Sequence, residues 1–178
     1  MSQTETMHAS SNTLPGLELA VEVPGWPDQR VLERWFDAAL AVAVPATNLN
    51  LKHGEISLVL TNDAAMQTIN AQHRGQDKPT NVLSFPAMDP GALDRLTGNR
   101  PFLLGDLVFA LETVEREAQA GRLSLHHHMS HLFVHGFLHL VGYDHEQADE
   151  AEAMEALETR LLATLGIADP YRQHAPLG

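Results

Sequence analysis

At 178 residues, 44% of them hydrophobic, the chain can fill one core and is short for two domains. Its formal charge of −12, with only eleven Lys and Arg, excludes a broadly basic surface that grips nucleic acid through many phosphate contacts. Cysteine is absent, which excludes a disulfide framework and leaves nitrogen and oxygen donors for any metal, so the eleven histidines gain weight.

Residues 1–16, rich in Ser, Thr and Asn and without periodicity, read as a tail with no basic-then-apolar leader pattern. Apolar runs such as Leu138–Val141 are far too short to cross a bilayer, so a soluble cytoplasmic protein is expected. Leu17–Val23 places apolar residues at every second position and reads as a strand broken by Pro24-Gly25. Asp28 can cap a helix whose residues Val31, Leu32, Trp35, Phe36, Ala39 and Leu40 recur at helical spacing, with Pro45 ending it. Ile56–Leu60 is a second strand, and Thr61-Asn62-Asp63 supply caps for a helix over Ala64–His73.

Arg74–Pro79 is a polar loop leading to a third strand, Val82–Phe85, stopped by Pro86. Residues 86–101 hold three prolines and two glycines and read as an irregular, exposed connection able to flank a site. Leu103–Ala110 is a fourth strand with Asp106 inside it, followed by a helix over Glu112–Ala120 for which Gly121 is a left-handed cap. Ser124 can cap the next helix, which carries the histidines to Val141 and stops at Gly142. A last helix spans about Glu146–Leu165 and closes at Gly166. The pattern predicts an α+β (mixed α/β) fold: one small sheet of about four strands surrounded by helices, as a single domain over residues 17–171, with residues 172–178 as a second tail.

The chemistry concentrates in His135 to His145. His135 and His139 are four apart on a predicted helix, so both imidazoles reach one ion, and a left-handed Gly142 lets the chain turn back to present His145. Three neutral imidazoles with one open position are the usual frame of a catalytic zinc site. The histidine and glycine spacing is that of the metzincin proteases, which makes this a zincin-like metal-binding helix. Yet Gly136 stands where those proteases carry their general-base glutamate. His127 and His131 extend the four-residue ladder, but His126, His127, His128 and His131 are given no ligand role.

The string His135-Gly136-Phe137-Leu138-His139-Leu140-Val141-Gly142-Tyr143-Asp144-His145 resembles the signature of the YbeY family of bacterial ribosomal RNA maturation factors. Arg74–Pro86, Leu104–Val108, Asp149–Leu165 and Asp169-Pro170-Tyr171 extend the resemblance over nearly the whole chain. It implies a zinc-dependent, single-strand-specific endoribonuclease of small-subunit (16S) ribosomal RNA 3′-end maturation and ribosome quality control. Its partners would be single-stranded RNA and the small ribosomal subunit, with no membrane or DNA. It also implies His135, His139 and His145 as ligands of one Zn²⁺ ion and an important role for Arg74. Asn81 departs from the family, many of whose members have Asp there, as do the longer leading tail and the strong acidity.

In this reading Arg74 contacts two phosphate oxygens at once and stabilises transition-state charge. Lys78 is close enough in sequence to add attraction. Asp144 can take a proton, orient His145 or cap the last helix, and Asp106 can support the metal or a backbone turn. Two alternatives remain: a ribosome-assembly factor with a structural zinc, and another metal hydrolase such as a peptidase or amidase.

Overall fold

A computed structural model describes residues 14–96 and 98–172. The elements run β1 (Gly16–Val21), α1 (Gln29–Thr47), β2 (Gly54–Thr61), α2 (Asp63–Arg74), β3 (Val82–Pro86), α3 (Pro90–Leu93), β4 (Phe102–Ala110), α4 (Leu111–Ala120), α5 (Leu125–Leu140) and α6 (Ala148–Thr164). Of the two expected tails, residues 1–13 and 173–178 lie outside the described residues, while Gly16 already pairs with Glu55 in the sheet.

The sheet order is β1-β2-β4-β3, with β1, β2 and β4 parallel and β3 antiparallel to β4. Parallel neighbours need crossovers, which α1 supplies between β1 and β2, and α2, β3 and α3 between β2 and β4. Side-chain alternation then sorts two faces. Ile56, Leu58 and Leu60 of β2 and Leu107 and Phe109 of β4 are fully buried in the main core with residues of α1 and α5. Val59, Leu83, Val108 and Ala110 face the other way, onto Met66 and Ile69 of α2. Asp106 shares the alternation of Val108 and so stands on the α2 side, across the sheet from the histidines.

Helix α5 is apolar on most of its circumference, with Met129, Leu132, Phe133, Val134, Phe137, Leu138 and Leu140 buried. It lies against β3, β4, α1, α4 and α6. Phe36 of α1 stacks on Phe109 and Phe133 with ring centroids 5.9 and 4.8 Å away; burying a ring of this kind contributes roughly 1.5–3 kcal/mol. Beyond its first turn, what remains open on α5 is the stripe His131, His135 and His139, each half-buried.

Three local expectations are corrected. Pro45 does not end α1, which continues to Thr47 and closes on left-handed Asn48. The carbonyl four residues before the proline belongs to exposed Ala41, where water can replace the lost helix bond. Gly121 has φ −83° and still donates its N–H to Glu117, whereas Arg122 takes the left-handed position at φ 53°. Its N–H bonds Gln119 O and that of Leu123 bonds Ala118 O, a Schellman closure one residue later than expected. The connection 86–101 is not wholly irregular or exposed, since it holds α3 and buries Leu93 in the core. The other boundaries fall within two residues of expectation.

Candidate metal centre and cleft

The end of α5 builds the site. Gly142 N–H bonds His139 O and Tyr143 N–H bonds Leu138 O, a second Schellman closure with Gly142 in the left-handed region at φ +103°. A Cβ at Gly142 would also meet Pro90 at 2.8 Å, so the turn needs glycine twice over. The closure folds the chain back: His139 Nδ1 donates to Tyr143 O at 2.9 Å, and exposed His145 brings its Nδ1 to 3.1 Å from His139 Nε2.

The partners fix the tautomers. Tyr143 O can only accept, so His139 carries its proton on Nδ1 and its Nε2 is a lone pair. Buried Glu158 Oε1 accepts from His135 Nδ1 at 2.5 Å, so in the neutral ring the Nε2 of His135 is a lone pair too. These two lone pairs lie 3.1 Å apart, an arrangement that repels unless a cation sits between them. Nitrogens sharing one tetrahedral ion at zinc-type bond lengths stand about 3.3 Å apart. One donor atom from each of His135, His139 and His145 lies within 4.8 Å of the other two, so the group can hold a metal ion. Burial, then the neighbouring charges of His135 and His145, push His139 down to about 4, which keeps its imidazole neutral and available.

The three histidines open into a cleft of about 450 Å³ whose walls include Arg74, Asn81, Ser84 and Asp144. Arg74 is the last residue of α2 rather than a loop residue, exposed at the rim, and the fold brings it to the histidines from the other side of the sequence. Lys78 does not line this cleft. The Asp144 carboxylate accepts the N–H of His145 at 2.7 Å, and α6 is capped at Gln147 instead, without a side-chain bond. Asp144 therefore does not cap α6; it lines the cleft beside His145 and holds the backbone of that residue.

A profile of the family described as Endoribonuclease YbeY matches residues 25–166. The chain belongs to the YbeY endoribonuclease family. Endoribonuclease YbeY of Bradyrhizobium diazoefficiens is 47% identical over 169 residues, spanning 95% of this chain and 91% of its own. That of Allorhizobium ampelinum is 48% identical over 169 residues, spanning 90% of this chain and 97% of its own. A solution structure of a Thermotoga maritima protein shares the fold at a TM-score of 0.52 and 22% identity, covering 86% of this chain and 97% of that one.

In this YbeY family member two supporting groups were not predicted from the residues. Glu158 of α6 is fully buried and, besides His135, lies 3.4 Å from His131 Nε2 and accepts from the Tyr171 hydroxyl. Burial alone would raise its carboxyl, but hydrogen bonds from His131 and His135, the charge of His135 and the Tyr171 bond outweigh it and hold the group down at about 2. The signal lay in the helix pattern: Glu158 occupies the same face as Met154, Leu161 and Leu162, where a carboxylate requires partners. Glu117 is the other. It accepts from Asn81 Nδ2 at 3.2 and 3.0 Å and from His128 Nε2 at 2.8 Å, while Asn81 Oδ1 accepts the N–H of Val82 at 2.7 Å. An aspartate at position 81 would set two carboxylates within hydrogen-bond range; the amide supplies the donor that Glu117 needs.

Proposed function

We propose that the chain is a zinc-dependent, single-strand-specific endoribonuclease of small-subunit (16S) ribosomal RNA 3′-end maturation and ribosome quality control. Its domain spans residues 17–171 and it works in the cytoplasm on the small ribosomal subunit. His135, His139 and His145 hold one Zn²⁺ ion, and Arg74 binds the phosphate. The observation that carries this reading is the pair of facing lone pairs on His135 and His139, 3.1 Å apart in a cleft that also receives an arginine. Membership of a family whose relatives are named endoribonucleases selects RNA as the substrate.

A bound zinc-type dication supplies Lewis-acid polarisation of a phosphoryl oxygen and a water that loses its proton near neutral pH. The chain's own residues do the rest. Arg74 offers a planar, permanent charge able to contact two phosphate oxygens. Glu158 and Tyr143 O hold His135 and His139 with their Nε2 atoms turned to one point. A cleft of about 450 Å³ is of the size that takes a nucleotide unit of a single strand. Helix α5 argues against the peptidase alternative, because a Cβ at Gly136 would stand 2.8 Å from Leu107 Cδ2 and 3.2 Å from Ser84 Oγ, leaving no room for the protease glutamate.

The test is elemental analysis of the untagged protein beside His139→Ala, with both assayed on a single-stranded ribosomal RNA fragment. Near-stoichiometric zinc and cleavage, both lost in the variant, are expected. Zinc without cleavage would instead favour an assembly factor with a structural ion, and an unmodified protein without metal would overturn the proposal.

A further inference from the structure

Beside the histidine cleft lies a second one of about 430 Å³, lined by Asn70, Arg74, Gln76, Lys78 and Thr80. Arg74 and Thr80 line both, so the two clefts share a wall. The second is built by the end of α2 and the loop after it. Gln76 N–H bonds Asn70 O at 3.3 Å, and Asn70 Nδ2 donates to Lys78 O at 2.8 Å, which pins the loop on a buried amide. Asn70 is only 3% exposed, and its Oδ1 has no hydrogen-bond partner among the described residues. A buried acceptor in that state carries its full desolvation cost until a donor arrives. Among the described residues neither Arg74 nor Lys78 forms an ion pair, and the intervening Asp77 has its carboxylate turned to Gln67 Nε2 at 3.0 Å.

We propose that this cleft is a nucleotide subsite, taking the unit of a single-stranded RNA next to the one in the histidine cleft. Arg74, on the shared wall, contacts the phosphate that links the two units, and Lys78 contacts the following one. Asn70 Oδ1 accepts a donor hydrogen of the bound nucleotide, from its 2′-hydroxyl or its base edge. An amide oxygen cannot be satisfied by another acceptor, so this position selects nucleotides that bring a hydrogen there. The inference rests on single-stranded RNA being the ligand.

The test is equilibrium binding of the full chain, as purified, to short single-stranded oligoribonucleotides by fluorescence anisotropy, with cleavage scored separately on gels. Lys78→Gln is expected to weaken binding severalfold and to lower the slope of log affinity against log salt by about 0.7, one phosphate contact on a single strand. With the unmodified protein, replacing one nucleotide at a time by its 2′-deoxy or its abasic form should weaken binding about fivefold at a single position, the net worth of one hydrogen bond. The deoxy series responding assigns the donor to the ribose; the abasic series alone assigns it to the base. Asn70→Leu should abolish that preference, and if it fails to fold the oligonucleotide series still decides. No change of slope in Lys78→Gln, or no position that responds in either series, would overturn the subsite. Binding that follows Lys78 without cleavage would keep the subsite and remove the nuclease reading; cleavage without these responses would do the reverse; absence of RNA binding would overturn both.

Discussion

Glu158 of α6 accepts a hydrogen bond from His135 of α5 at 2.5 Å, from a position with no solvent exposure. A buried carboxylate of this kind survives only through its partners, and in return it fixes the tautomer and orientation of His135 and raises the basicity of the ring. Glu158→Gln keeps the volume and removes the charge. Zinc affinity, measured by competition with a chelator, is expected to fall about 10–100-fold. Tyr171→Phe deletes one of the donors to Glu158 and should produce a smaller loss. Undiminished affinity in Glu158→Gln would remove the carboxylate from the metal site.

Gly136 permits the close approach of α5 to β4, and the two substitutions that probe it separate volume from charge. In Gly136→Ala the added methyl meets the flexible end of Leu107, and a helix-propensity gain of about 1 kcal/mol offsets the crowding. Its unfolding midpoint should stay near that of the unmodified protein. Gly136→Glu carries a carboxylate into the same buried contact and is expected to cost about 3 kcal/mol or more in urea denaturation. It should confer no peptide cleavage; a stable Gly136→Glu that cuts peptides would revive the protease alternative.

The sequence made the histidine trio legible because its geometry is local. A four-residue helical step and a glycine turn place His135, His139 and His145 together before any tertiary contact is considered. The same held for strands with clean alternation, such as β2. Glu158 was hidden because its role depends on α6 packing against α5, twenty-three residues away, and Asn81 because its partner Glu117 lies thirty-six residues on. Pro45 and Gly121 differ from expectation for one reason: each residue type reads as a stop signal, whereas solvent access at Ala41 lets α1 continue past Pro45 and a left-handed Arg122 ends α4. For Asp106 the two readings, support of the metal or of a backbone turn, stay open in the sequence, because only the register of β4 assigns it to the α2 face.

Arg74 stands exposed at the end of α2, so its side chain contributes little to the fold. Its charge near a helix C-terminus is worth only about 0.3–1 kcal/mol. Arg74→Ala should therefore leave zinc content and the melting temperature nearly unchanged while lowering cleavage of single-stranded RNA about 100-fold, the scale of losing one positioned donor in a transition state. Arg74→Lys should recover part of the affinity and less of the rate, because an ammonium cannot match two phosphate oxygens at once. Cleavage by Arg74→Ala at the unmodified rate would take the arginine out of the mechanism.

Glu117 joins α4 to the cleft through Asn81, and its ionisation sets a pH limit on that link. Burial pushes its carboxyl up, but hydrogen bonds from His128 and Asn81, with the charges of His128 and Arg116, outweigh burial and leave it below the ordinary value of 4.5. A carboxyl held lower in the folded chain than in the unfolded one stabilises the fold above the unfolded value, and that contribution disappears as pH falls through the folded value. Glu117→Gln should therefore be less stable than the unmodified protein near neutrality and lose less stability on acidification below about pH 4.5. The effect is modest, since the Glu117 side chain is 39% exposed and partly screened by water. Urea midpoints for the two proteins from about pH 3 to pH 7 should converge toward the acid end; curves that stay parallel would mean that the Glu117 charge contributes nothing to holding Asn81 and His128 in place.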